Sequence, residues 1–257
     1  QKFGATLALP MDVQSIEGTR PPYQLKLAEH TPISCRSIVI ASGATYRTLD
    51  LENYEKFEGR GIHYAATAIE AGLCHGEEVI VVGGGNSAGQ AAVYLAGRAK
   101  HVHMLVRGEG LAASMSEYLI RRIDASDSIT LHCQTAIVRL DGDDSLQHVT
   151  WRNRETGEES THPICHVFTM IGAVPNTKWL GDCVLQDEKG FVCTGQPVAD
   201  SDEWPLERAP EPFETTLPGV FAIGDVRATS VKRVASAVGE GSICVQFVHR
   251  TLAAEKA

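Results

Sequence analysis

Five residues that read as a buried strand, Glu78-Val79-Ile80-Val81-Val82, run without a break into Gly83-Gly84-Gly85-Asn86-Ser87-Ala88. An apolar pattern of helical period continues from Gln90 to about Ala96, and residues 101–107 read as the next strand. A strand, a tight glycine turn, a helix and a second strand form a crossover unit, which implies a parallel sheet and an α/β fold. The glycine spacing, Gly83-x-Gly85-x-x-Ala88, is that of a dinucleotide-binding turn in the setting it needs. The first glycine makes the turn, the second lets backbone N–H groups approach a diphosphate, and the small third residue lets helix and strand pack closely. The helix N-terminus then offers unpaired donors and partial positive charge to the phosphates. Gly83, Gly84, Gly85, Asn86, Ser87 and Ala88 are therefore the candidate cradle.

The end of the second strand selects between coenzymes. An NAD site usually offers a carboxylate there for the ribose 2′-hydroxyl. The sequence has Leu105-Val106-Arg107-Gly108, and an arginine suits a 2′-phosphate, so NADPH is favoured.

The remaining chain adds strands and one long helix. Tyr23–Leu27 alternates, residues 29–32 carry turn chemistry, and residues 37–41 form a β-branched run, which together read as an antiparallel pair. A polar stretch over 45–61 is the best boundary, and 65–73 reads as a short helix. Ser114-Met115-Ser116-Glu117 is a capping-box pattern opening a helix through Ile123. Strands are expected at 129–133, 136–140, 146–151 and 164–171, with 141–145 as a hairpin turn, and 196–212 is a Pro- and acid-rich loop. His101-x-His103 puts two imidazoles on one strand face, where spacing supplies no third metal ligand.

Composition excludes several classes. The 257 residues carry 23 Lys plus Arg against 32 Asp plus Glu, a net charge of −9, where a nucleic-acid surface needs a basic face. No apolar run approaches the ~18 residues of a membrane span. The seven cysteines are scattered, the closest pair (Cys183 and Cys193) ten apart, which fits reduced thiols in the cytoplasm. The chain opens on Gln1, not Met, within sequence that reads as folded, which fits a piece of something longer.

A second constellation lies near the C-terminal end. The short apolar run Gly219-Val220-Phe221-Ala222-Ile223 ends in Gly224-Asp225, and a helical pattern runs from Val231 to about Leu252. A carboxylate at such a turn can accept hydrogen bonds from a polyol such as ribityl, and a helix N-terminus stabilises negative charge nearby.

Taken together, residues 83–88, Arg107, residues 219–225 and Lys232-Arg233-Val234-Ala235 resemble the thioredoxin-reductase branch of the pyridine nucleotide-disulfide flavoproteins, and residues 38–45 are similar to that family's link between its lobes. The resemblance implies two Rossmann-like lobes: an FAD-binding lobe from 1–57 and 173–257, and an NAD(P)H-binding lobe at 58–172. It implies NADPH and FAD as cofactors, a homodimer, and a thioredoxin-like protein or other electron acceptor as partner. On it, Gly83–Ala88 would cradle the NADPH diphosphate and Arg107 would face the 2′-phosphate. Gly224 and Asp225 would serve the ribityl–diphosphate region, with Arg233 and Val234 against the flavin's pyrimidine edge.

Two departures from the family pattern bear on function. Where the family carries a redox CxxC, this chain reads Tyr64-Ala65-Ala66-Thr67-Ala68, and alanine can neither attack a disulfide nor form a thiolate. The first FAD-binding βαβ unit is also missing from the sequence, since the other GxG, Gly239-x-Gly241, falls inside the last helical pattern. The expectation is an FAD- and NADPH-dependent oxidoreductase of thioredoxin-reductase type whose acceptor is not reached through a dithiol at 65 and 68. A non-catalytic NADPH-binding module, and a cysteine-independent flavin reductase with a diffusible acceptor, are the alternatives.

Overall fold

The computed structural model describes residues 4–254. Gln1 lies outside the described residues. In chain order the strands and helices begin with β1 (Val13–Glu17), β2 (Tyr23–Leu27), β3 (His30–Cys35), β4 (Ile38–Ile40), β5 (Ala44–Tyr46) and β6 (Ile62–His63). The crossover region follows, with α1 (Ala68–Leu73), β7 (Glu78–Val82), α2 (Asn86–Ala96), β8 (His101–Leu105), α3 (Glu117–Asp124) and β9 (Ile129–His132). Then come β10 (Thr135–Asp141), β11 (His148–Asn153), β12 (Glu159–His162), β13 (His166–Thr169) and β14 (Ala173–Pro175). The chain ends with α4 (Gln196–Ala199), β15 (Val220–Ala222) and α5 (Val234–Ala254).

The chain divides into two compact units, Gln1–Thr45 with Ala173–Ala257, and Tyr46–Gly172. In the second, a five-stranded parallel sheet has the order β6-β13-β7-β8-β9. Alternation along β7 and β8 sends Val79, Val81, Val102 and Met104 to one face, where Ala88, Ala92 and Leu95 of α2 and Leu119 and Ile123 of α3 cover them. Ile80, Val82 and Leu105 go to the other face, against Ile137, Leu140, Val149 and Trp151 of the antiparallel sheet β10-β11-β12. Full burial of one such aliphatic side chain is worth about 1.5–3 kcal/mol, so both faces are strongly specified. The strands at the centre of a parallel sheet are apolar throughout for this reason.

The first unit contains the antiparallel sheet β1-β2-β3 and the parallel pair β15-β4. Its core joins Ile16, Tyr23, Ile38, Ile40, Val192, Val220 and Val226. The buried Tyr23 hydroxyl donates to the Pro218 carbonyl at 2.6 Å, tying the antiparallel sheet to the turn before β15. Strands β5 and β14 pair with each other.

Several expectations change. The partner of β2 is β3, at 30–35, and not residues 37–41; β4 pairs in parallel with β15 instead. The β2–β3 turn is correspondingly tighter, with Glu29 at φ 57°. The second compact unit begins at Tyr46 and takes in Leu49, Leu51, Tyr54 and Phe57, which pack into its core. Ser114 caps no helix: α3 begins after Ser116, and no side chain caps it. Among the described residues no helix is long and apolar enough to cross a membrane.

Candidate functional site

The glycine turn sits at the C-terminal end of β7, between the ends of its two neighbours. Gly83 N–H donates to the Leu105 carbonyl of β8 at 3.1 Å, and Met170 N–H, just past β13, donates to Val82 O at 2.8 Å. Gly83 has φ +138°, and a Cβ there would lie 2.5 Å from Met170 O, so this position accepts only glycine. Gly84 and Gly85 differ. A Cβ on either would meet nothing closer than 3.5 Å, leaving an open face on the turn.

Helix α2 starts after Gly85 without a side-chain cap. Its first backbone bond runs from Gly89 N–H to Gly85 O at 3.1 Å. Among the described residues the amides of Asn86, Ser87 and Ala88 have no backbone acceptor, the free donors that a diphosphate needs. Ala88 is buried against the sheet, as a small third residue should be. The residues present therefore fit the diphosphate of a dinucleotide.

Arg107 lies two residues beyond β8, exposed, and is in no ion pair among the described residues. The sequence missed what holds the turn from the other side. Ser114 Oγ donates to Gly84 O at 2.9 Å, and Asn86 Oδ1 accepts the Ser116 N–H at 2.7 Å. Both bonds span thirty residues, and local pattern gave no signal of them.

Ala65 and Ala68 lie at the entry to α1, with Ala68 its first residue. Thr67 and Glu70 form a capping box that occupies the amides of this helix end. Just before them, His63 Nε2 meets His166 Nδ1 at 3.0 Å. Burial, and then the neighbouring His166, push His63 down to about 4, so it is neutral near pH 7. Tyr64 donates to Glu58 and stacks on Tyr46; burial and that hydrogen bond push its hydroxyl well above the usual range. Neither thiol nor thiolate stands at these positions.

In the first unit, Gly224 (φ +70°) and Asp225 form a single 3-10 turn after β15. Gly224 N–H donates to Glu240 Oε2 of α5 at 2.6 Å, and Arg227 pairs with the same carboxylate. Burial raises Glu240, but the Arg227 and Gly224 hydrogen bonds outweigh it and hold the carboxyl below its ordinary range. Asp225 is half-buried and makes no hydrogen bond among the described residues, leaving its carboxylate available. Lys232 lies over the Phe191 ring at 4.1 Å, and burial lowers its ammonium. Arg233 is exposed, and Val234, the first residue of α5, is 83% exposed. Gly239 and Gly241 lie within α5. For a flavin, this unit offers one available carboxylate and one helix N-terminus.

His101 and His103 join a larger imidazole cluster with His132 and His162, described below, and no group of three or more His, Cys, Asp or Glu that could hold a metal occurs among the described residues.

With this geometry in place, comparison with known proteins is decisive at the level of family. The sequence model of the pyridine nucleotide-disulphide oxidoreductases matches residues 2–241. The chain belongs to this family. It is 32% identical over 255 residues to NADPH-dependent thioredoxin reductase 3 of Arabidopsis thaliana, which covers 98% of the chain and 45% of that protein. It is 30% identical over 254 residues to the thioredoxin reductase of Chlamydia pneumoniae, covering 98% and 76%. The crystal structure of thioredoxin reductase from Streptococcus pyogenes superposes with a TM-score of 0.77 at 29% identity, over 95% of this chain and 74% of that one. The Arabidopsis relative is by its name NADPH-dependent, and the α/β fold with Rossmann-like lobes read from the sequence agrees with these neighbours. The chain spans less than half the length of the Arabidopsis relative.

Proposed function

We propose that this chain is the nucleotide-handling part of an FAD- and NADPH-dependent oxidoreductase of thioredoxin-reductase type. The observation that carries the reading is the open glycine turn, with uncapped α2 amides on one side and a strap that holds it on the other. In this reading the amides of residues 86–88 hold the NADPH diphosphate, and Arg107 selects the 2′-phosphate. Asp225 and the N-terminal end of α5, with Arg233 and Val234, serve the flavin. Bound FAD supplies the acceptor chemistry for a hydride from NADPH. The protein's own part is orientation and electrostatics: fixed amide dipoles at the phosphates, and a carboxylate positioned by the Gly224–Glu240 bond.

The methyl side chains of Ala65 and Ala68 favour a second reading of the acceptor. Thioredoxin-type disulfides are reached in this reading only through a dithiol elsewhere, and a diffusible acceptor needs none. A homodimer belongs to the same proposal.

The test is a visible spectrum of the purified chain and calorimetry with NADPH. A yellow protein bleached by NADPH supports the oxidoreductase. A colourless protein that binds NADPH supports a nucleotide-binding module. No heat with NADPH or NADH from a folded chain overturns the assignment.

A further inference from the structure

We infer that Ser114 is a positioning residue for the dinucleotide: its hydroxyl, donated to the Gly84 carbonyl, fixes the Gly84–Gly85 peptide with its N–H turned toward the open face where the diphosphate binds. The inference rests on the nucleotide reading of the glycine turn and goes beyond it. It assigns a binding role to a residue outside the motif, thirty positions away.

In a trans peptide the C=O of one residue and the N–H of the next point in opposite directions. Gly84 and Gly85 are the two turn residues with room around them, so nothing steric holds the plane between them. Glycine leaves both flanking torsions soft, and a free Gly84–Gly85 plane would sample orientations in which the Gly85 N–H points away from the phosphates. The Ser114 hydroxyl, 2.9 Å from Gly84 O, removes that freedom by holding the carbonyl on the strap side. The N–H of the same peptide then faces the other way. Among the described residues it has no acceptor.

Ser114 can do this because its own segment is fixed. Ser114 and Met115 N–H both donate to Leu111 O, at 3.1 and 3.0 Å, closing a tight turn. Leu111 and Met115 are buried in the core beside α2. Met115 sulfur sits so close over Gly89 that a Cβ there would lie 2.7 Å from it. The Ser116 N–H holds Asn86 Oδ1, which keeps the Asn86 side chain off its own helix end and leaves the α2 amides open. Three contacts thus press residues 111–116 onto the turn, and only the Ser114 contact reaches the peptide that must face a phosphate. Ser87, the serine inside the motif, is exposed and bonds to nothing among the described residues.

The experiment is calorimetry of the full chain with NADPH and with NADH, for the parent, Ser114→Ala, Ser114→Thr and Arg107→Ala. Backbone ¹⁵N relaxation at Gly85 is measured without nucleotide. Loss of one neutral hydrogen bond predicts that Ser114→Ala binds both coenzymes about five- to tenfold more weakly. Because the effect acts through the shared diphosphate, the factor is the same for each. Ser114→Thr, which keeps the hydroxyl, restores parental affinity, and Arg107→Ala weakens NADPH alone. Gly85 becomes more mobile in Ser114→Ala while the unfolding midpoint falls by no more than one exposed hydrogen bond contributes, which separates positioning from a general structural role. If the parent binds and Ser114→Ala binds both coenzymes equally well, the Ser114 inference is overturned and the nucleotide reading stands. If the folded parent binds neither, the nucleotide reading is overturned and the inference falls with it.

Discussion

His103 and His132 face one another across adjacent parallel strands, Nδ1 to Nε2, at 3.1 Å. Two ring nitrogens at this distance share one proton, so one must keep its lone pair. His103 Nε2 in turn meets Glu78 at 3.3 Å, and Glu78 also takes the Lys100 ammonium at 2.8 Å. Around them stand His101, held by Thr130, and His162, stacked on Trp151 at 3.7 Å between ring centres. The cluster lies between the parallel sheet and β11 and β12, so added charge there is buried charge.

Acid should therefore loosen the second unit. Burial, and then the neighbouring imidazoles, push His132 down to about 4, and burial lowers His103, His162 and His166 as well. Below pH 6.5 the unfolded chain binds protons that the folded chain excludes, so stability falls as pH drops below 6.5, and for His132 the fall runs down to about pH 4 before levelling off. His132 contributes a slope approaching about 1.4 kcal/mol per pH unit within that window, and the other three add to it in the same direction. Glu78 and Glu70, held below their ordinary 4.5, lose their contribution only at lower pH, so 6.5 to 4.5 isolates the histidines. Urea denaturation across that range should show the fall, and His132→Gln should flatten it. A pH-independent midpoint would refute the account.

Arg107 carries the coenzyme preference alone in this reading, since Gly108 follows it and the side chain is exposed. Arg107→Ala should cost about tenfold in NADPH affinity, the worth of one exposed charge-assisted contact, and leave NADH unchanged. Equal losses for both coenzymes would move the arginine's role away from the 2′-phosphate.

Legibility in the sequence followed how local each cause was. β2 and β7 match their expected spans because alternation and an unbroken apolar run are properties of the strand itself. β3, His-Thr-Pro-Ile-Ser-Cys, carries a proline and is exposed over most of its length, so it reads as a turn; its partner β2 makes it a strand. β12, Glu-Ser-Thr-His, is a polar edge strand defined by β11 alone. The glycine turn was legible because its chemistry lies within six residues. The Ser114 strap and the histidine cluster were not, since each joins residues that only the sheet order brings together.

The glycines of the turn should separate fold from binding. Gly83→Ala forces a side chain into φ +138° and against Met170 O, so it should lower stability by about 1–3 kcal/mol or more, together with nucleotide affinity. Gly85, at φ −92°, has open space around it. Gly85→Ala should leave the unfolding midpoint near the parent's, while its methyl group obstructs the phosphate approach and weakens both coenzymes. Thermal unfolding beside calorimetry distinguishes the two patterns, and an unchanged affinity in Gly85→Ala would place the diphosphate elsewhere.

Glu240 offers the sharpest test of the first unit. The Glu240 side chain is 13% exposed and that of its partner Arg227 is 17% exposed, so the pair is largely desolvated. Removing the acid's charge while leaving the arginine buried should cost about 3–5 kcal/mol. Glu240→Gln keeps an acceptor for Gly224 N–H, so its loss reports the ion pair and not the turn hydrogen bond. Pairing it with Arg227→Met removes the orphaned charge and should recover much of the stability, because a buried pair gains little over apolar groups that fill the same space. Denaturant midpoints for the two single variants and the double variant give the coupling directly. Strictly additive losses would mean that Arg227 and Glu240 act independently and that their ion pair contributes no coupling.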